Sequence, residues 1–170
     1  MSKPVDQLCT IELRATVSGM ATLRLDQHLC FALYSATRAM TAAYRPVLDE
    51  LNLTYPQYLV LVVLWEEGPV TVGRLGQRLQ LDSGTLSPLL KRLEANGIVV
   101  RRRSRADERQ VEVELTDAGR ALEERAQCIP ERLFGATGLS VEDAEQLRDA
   151  VRQLSDALTN APEDNRKEPT

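Results

Sequence analysis

Histidine is almost missing from this chain: His28 is the single one in 170 residues, and the three cysteines, Cys9, Cys30 and Cys128, form no CxxC or clustered His/Cys spacing. A zinc or iron site needs several such ligands converging, so no metal and no cofactor are expected. Long apolar runs are missing too. The longest, YLVLVVLW at 58–65, is far short of the ~18 residues that span a bilayer, and the first 24 residues hold no apolar stretch of a secretory leader. The expectation is a cytoplasmic protein without membrane contact. Three thiols cannot all pair within one chain, and in a reducing compartment a thiol with a chemical role is favoured over a disulfide framework.

What is present describes an ordinary globular chain, 43% hydrophobic and 27% charged, long enough for one core. Its net charge of −4 argues at first against nucleic acid. Split along the sequence, however, residues 71–109 carry nine basic and four acidic side chains, while 1–70 carry five and seven and 110–170 carry seven and fourteen. A local excess of +5 in an acidic chain marks either a solvated face or an electrostatic footprint.

The pattern of helices and strands decides between these. Residues 1–24 lack periodicity and read as a flexible extension. Asp26 is placed to cap a first helix with Leu29, Leu33, Ala36, Met40, Ala43 and Val47 at helical spacing, reaching about Asn52 with Pro46 kinking its end. Thr54 opens a second helix, apolar on nearly every face, with Pro56 in its first turn. Thr71 caps a short helix bearing Val72, Leu75 and Leu79. Asp82 and Ser83 cap the next, which turns Leu86, Leu89, Leu90 and Leu93 inward, carries Pro88 as a slight kink, and stops at Asn96-Gly97. Short helix, tight turn and longer amphipathic helix make a helix-turn-helix.

IVVRRR and QVEVEL then read as two antiparallel strands around a charged tip, which is a wing. Thr116 caps a long helix through Leu122 and Ala126, interrupted at Pro130. Ser140 caps the last helix, whose Leu147, Val151, Leu154 and Leu158 follow a 4-3-4 spacing suited to a partner helix. The polar end, 160–170, reads as disordered. Residues 68–115 are thus the DNA-binding lobe, and 25–67 with 116–159 a helical dimerisation region.

A recognition helix places its N-terminal residues against base edges, so Ser83, Thr85, Ser87, Lys91 and Arg92 are candidate DNA contacts. The hydroxyls serve equally well as caps. Side chains alternate along Arg101, Arg102 and Arg103, so only some of them can face DNA. Arg105 and Arg109 flank the wing tip, where a long cation can enter a narrow minor groove, and Asp107 is placed to orient the Arg109 guanidinium.

The helix order, the run LLKRLEANGIVVRRRSRADERQVEVELTDAGR and the DxR-to-LTxxGR signature resemble the MarR-type transcriptional regulators over about 25–158. That resemblance implies a mainly α fold with a small β-wing, a homodimeric winged helix-turn-helix, and double-stranded DNA with a pseudo-palindromic operator as partner. LDQHLCFALYSATRAM, LTYPQYLVLVVLWE and LDSGTLSPLLKRL further resemble the organic-hydroperoxide-responsive (OhrR-like) branch. There the cysteine matching Cys30 senses the peroxide, and tyrosines matching Tyr34, Tyr44 and Tyr55 donate hydrogen bonds to it. The function implied is a repressor, not an enzyme, that releases its operator on oxidation.

Residue chemistry runs alongside. With Asp26 as cap, Cys30 lies in the first turns of its helix, where the dipole favours the thiolate and the Asp26 charge partly opposes it. Tyr34 is one turn on, on the same face. Tyr44 is fourteen residues on, about 21 Å along the axis at ~1.5 Å per residue, so only an antiparallel second chain could bring it to the thiol. The plainer reading makes the tyrosines amphipathic core residues and Cys30 a small buried hydrophobe. Leu29, Phe31 and Trp65 would give the thiol apolar surroundings that favour lipid-like peroxides. Members with a resolving cysteine carry it just beyond the PERLF-like segment, where this chain has Gly135 and Leu139. Cys128 is the remaining candidate, with a small thiol as the alternative, and Cys9 has no evident part. A regulator of the same type answering to a phenolic ligand is the second reading. A thiol peroxidase is the third, disfavoured by the lack of a thioredoxin-like βαβ pattern.

Overall fold

Residues 24–104 and 107–160 are described by the computed structural model, and the chain divides into two compact units between Leu59 and Val60. In the first unit a 3-10 turn at Leu25–Gln27 precedes helix α1 (Leu29–Asp49). Asp26 does not cap α1. The backbone bonds Gln27 N to Arg24 O (3.0 Å) and His28 N to Leu25 O (3.2 Å) draw it into the turn, where the Arg24 guanidinium holds it at 3.1 Å. His28 takes the N-cap position and offers no side-chain cap.

Pro46 lies inside α1, which ends at Asp49 rather than Asn52. Asn52 adopts the left-handed conformation (φ 54°) and the Leu53 amide returns to the Leu48 carbonyl at 2.9 Å, so the chain reverses over the buried Leu48, Leu51 and Leu53. Helix α2 (Tyr55–Glu67) then starts as its sequence predicts. The Gln57 side chain reaches back and accepts from both the amide (2.9 Å) and the hydroxyl (3.0 Å) of Thr54, one arm of a capping box.

The second unit begins with Val60, Leu61, Val63 and Leu64 of α2, all buried, and Gly68 (φ 75°) ends the helix. A two-residue strand, β1 (Val70–Thr71), follows. No alternation can be read from two residues, so sequence reasoning missed it. Its place is fixed by pairing with β3 (Val111–Leu115), Val70 opposite Val113, and β3 also pairs with β2 (Val99–Arg103), Val99 opposite Leu115. The wing is therefore a three-stranded antiparallel sheet in the order β1-β3-β2.

Between β1 and β2 lie α3 (Val72–Leu79) and α4 (Ser83–Ala95). The Thr71 hydroxyl accepts the Arg74 amide (3.1 Å), and the Asp82 carboxylate accepts the Thr85 amide (2.9 Å), so both predicted caps are made. Leu75, Leu86, Leu90 and Leu93 are at most 1% exposed, which locks the two helices together around one core.

Beyond β3 come α5 (Asp117–Ala126), α6 (Ile129–Thr137) and α7 (Val141–Thr159). The expected interruption falls at Gln127 and Cys128, because Pro130 is accommodated in the first turn of the new helix α6. Ser140 caps α7 by accepting the Asp143 amide at 3.1 Å. None of the residues of α7 is buried: Leu147 is 56% exposed and Leu158 71%. Among the described residues no helix is long and apolar enough to cross a membrane.

Candidate nucleic-acid interface and thiol site

The first turns of α4 and the wing tip carry the candidate DNA contacts, and Ser83, Thr85, Ser87, Lys91 and Arg92 are all exposed. Two of the hydroxyls have their hydrogens engaged. Thr85 Oγ1 donates to Asp82 Oδ2 (2.8 Å) and Ser87 Oγ donates to the Ser83 carbonyl (2.7 Å). What each presents outward is lone pairs, which suit the amino groups of adenine or cytosine rather than phosphate oxygens. The Thr85 hydroxyl and amide also hold the Asp82 carboxyl below the usual carboxylate range.

The cations of this region separate into two groups. Arg74 pairs with Glu67 at 2.9 Å, and Arg78 pairs with both Glu66 and Glu67, tying α3 to the end of α2. Arg101 clasps Glu94 through Nε (2.9 Å) and Nη2 (2.5 Å), fastening β2 to α4 and holding the Glu94 carboxyl below its ordinary range. Arg102 stands 3.8 Å from Glu114. By contrast Lys91, Arg92, Arg103 and Arg109 are exposed and enter none of the ion pairs among the described residues. These four are the candidate phosphate contacts of this region. Arg105 lies outside the described residues.

Asp107 does not orient the Arg109 guanidinium. Two residues apart in a tight turn, its carboxylate meets other groups of the turn: Oδ1 accepts the Arg109 backbone amide (3.0 Å) and Oδ2 accepts the Gln110 side-chain amide (3.1 Å). The tip is closed further by Gln110 N to Asp107 O (2.9 Å) and Ser104 N to Gln110 O (2.9 Å), with the buried Ser104 hydroxyl on Glu112 (2.7 Å). Asp107 thus shapes the tip that carries Arg109.

In the first unit Cys30 is an exposed free thiol in the opening turn of α1. Tyr34, one turn on, is 56% exposed, and its oxygen accepts a hydrogen bond from Arg38 Nη1 (3.2 Å) while the guanidinium carbon lies 5.6 Å from the ring centroid. Sequence reasoning missed Arg38; its signal was the i, i+4 spacing from Tyr34. Tyr44 and Tyr55 are brought together with ring centroids 4.6 Å apart, and Tyr58 joins them at 5.8 and 6.5 Å. Burial, with smaller contributions from Tyr55 and Tyr58, pushes the Tyr44 phenol up to about 12, and burial raises Tyr55 and Tyr58 too. All three stay protonated as donors across the physiological range. Beside them runs a groove of 520 Å³ lined by Arg38, Thr41, Arg45, Leu48, Leu53 and Tyr55 among others. In the second unit Cys128 is exposed at the N-cap of α6, and Trp65 donates its indole N–H to the Gly119 carbonyl at 3.1 Å. Cys9 lies outside the described residues.

Comparison with known proteins turns this geometry into a family assignment. The organic hydroperoxide resistance transcriptional regulator of Bacillus subtilis is 48% identical over 136 residues, covering 80% of this chain and 92% of the relative. A structure of reduced AbfR bound to DNA, a protein of Staphylococcus epidermidis, superposes with a TM-score of 0.64 at 37% identity, covering 81% of this chain and 96% of that one. This chain belongs to the MarR family of transcriptional regulators. The family Transcriptional regulator SarA/Rot matches residues 42–125, and a structure of disulfide-formed AbfR superposes at a TM-score of 0.53 and 39% identity over 77% of this chain and 92% of that one.

The regulator is thus a DNA-binding winged-helix protein of the MarR family and not an enzyme. Its LTDAGR signature proves to be architecture rather than readout. The Thr116 hydroxyl caps α5 through the Gly119 amide (3.1 Å) and meets the Gly97 carbonyl (2.6 Å). Arg120 donates to the Leu115 carbonyl (2.8 Å) and pairs with Asp117. Gly119 is there because α5 presses on the backbone just before β2: a Cβ at that position would sit 2.3 Å from the Ile98 carbonyl oxygen.

Proposed function

We propose that the regulator is a homodimeric repressor that holds a pseudo-palindromic operator while Cys30 is reduced and releases it once an organic hydroperoxide has oxidised that thiol. The observation that carries this reading is the placement of the phenols. Cys30 and Tyr34 stand exposed at the start of α1, whereas Tyr44 and Tyr55 pack together at its far end, about 21 Å away at ~1.5 Å per residue. A second copy of α1 running antiparallel brings the phenols of one protomer to the thiol of the other. Oxidation and the spacing of the two DNA-binding lobes then share one interface.

The chemistry balances without a cofactor. The Cys30 thiolate attacks the terminal oxygen of the hydroperoxide; an S–O bond forms, the O–O bond breaks, sulfur gives up two electrons, and the departing alkoxide takes a proton to become an alcohol. The resulting sulfenic acid condenses with a second thiol, losing water to form a disulfide. Cys128 of the other protomer or a small cellular thiol supplies that sulfur. Leu29 and Phe31, 46% and 37% exposed beside Cys30, offer the apolar contact that favours an alkyl over an inorganic peroxide. Support comes from the named activity of the Bacillus relative and from AbfR being known both reduced on DNA and in a disulfide form.

The test is operator release followed by fluorescence anisotropy. Cys30→Ser should bind DNA as tightly as the unaltered regulator and keep it in the presence of cumene hydroperoxide. Release of DNA by that variant overturns the proposal, and release by aromatic acids alone would favour the ligand-binding reading instead.

A further inference from the structure

We propose that Arg38 is a positioning residue for the thiol: it holds Tyr34 by oxygen and ring so that the phenol hydrogen is directed to Cys30. The proposal rests on the reading of Cys30 as the peroxide-reactive group. Cys30, Tyr34 and Arg38 follow one another at four-residue intervals on α1 and so share a face. Helical side chains lean toward the N-terminus, so Arg38 covers the turn of Tyr34 and Tyr34 covers the turn of Cys30.

Guanidinium nitrogens can only donate. The 3.2 Å bond from Arg38 Nη1 therefore occupies a lone pair of Tyr34 Oη and leaves the single phenol hydrogen for another acceptor. With the cation also 5.6 Å from the ring centroid, inside cation–π range, both the tilt of the ring and the direction of its hydrogen are constrained. No carboxylate competes for Arg38 in the ion pairs among the described residues. Cys30, one turn nearer the N-terminus on the same helix face, is the acceptor the proposal assigns to that hydrogen.

The experiment measures the rate at which cumene hydroperoxide oxidises Cys30 in the full chain, by trapping its sulfenic acid and quantifying the Cys30 peptide by mass spectrometry. Arg38→Met should slow oxidation about five-fold, the worth of one hydrogen bond of about 1 kcal/mol. Tyr34→Phe should slow it by a similar factor, and Arg38→Met should add nothing further in that background. Arg38→Lys, which keeps a charged donor, should recover about half of the loss on a logarithmic scale. Equal slowing by Arg38→Met with and without Tyr34, or no slowing at all, overturns the proposal. Failure of Cys30 to form a sulfenic acid in the unaltered protein would instead remove the reading beneath it.

Discussion

At the scale of single residues, what matters in the DNA-binding lobe is which cations are already spent on the protein. Arg74, Arg78 and Arg101 fasten helices and wing to one another, whereas Lys91 and Arg92 are exposed and are the proposed phosphate contacts. Each phosphate contact releases condensed counterions, so Lys91→Ala and Arg92→Ala should each lower the slope of log affinity against log salt by about 1 per half-site, equally for all sequences. Arg101→Ala should leave that slope nearly unchanged and act by loosening β2 from α4. A salt titration of operator binding separates the two behaviours. Gly119 makes the opposite kind of demand, since the atom it would strike is backbone and cannot swing aside. Gly119→Ala should destabilise the fold by about 1–3 kcal/mol, seen in urea unfolding through the fluorescence of Trp65, the sole tryptophan and a direct partner of Gly119.

At the scale of elements, α1 and the start of α2 gather three tyrosines whose phenols are all harder to ionise than free tyrosine. A raised folded-state pKa on a group that is neutral when protonated stabilises the fold below the unfolded value of about 10 and loses that contribution as pH climbs. For Tyr44 the loss runs from there to its folded value of about 12. Absorbance titration should show a last ionising phase near that value that disappears in Tyr44→Phe, and urea midpoints should fall across the same interval. Parallel reasoning applies to the wing tip, where one carboxylate closes the turn. Asp107→Ala should reduce operator affinity several-fold by freeing the tip that carries Arg109, with thermal stability changed by less than about 0.5 kcal/mol, the range of exposed substitutions.

At the scale of the whole molecule, the net charge of −4 is a poor guide to its partner, because the basic excess is confined to 71–109. Its exposed apolar side chains are the better one. Leu25, Leu29 and Met40 in and before α1, and Val141, Leu147 and Leu158 on α7, are each between 43% and 71% exposed. That is apolar surface of the kind a second copy covers. Leu147→Glu combined with Val151→Glu should convert the proposed dimer to a monomer in sedimentation and abolish high-affinity operator binding, while circular dichroism stays unchanged. A dimer that persists in that variant would move the interface away from α7.

Much of this regulator is written locally. Thr71, Asp82, Thr116 and Ser140 each cap the helix their spacing announces, and Leu86, Leu90 and Leu93 turn inward as a 3.6-residue period requires, because helices and caps depend on neighbours within about four residues. The two long wing strands were equally legible from their alternation and Arg-rich charge. Other features needed the folded chain. Strand β1 exists only because β3 lies beside it; Asp26 is drawn from its cap by a turn and by Arg24; Tyr58 joins Tyr44 and Tyr55 only once the α1–α2 reversal is made. The sequence by itself determined the order of helices and wing and the presence of a thiol early in the first helix. Only the tertiary structure decided which arginines are held in ion pairs and which phenols gather together, since pairing and burial depend on residues brought close by folding rather than by position in the chain.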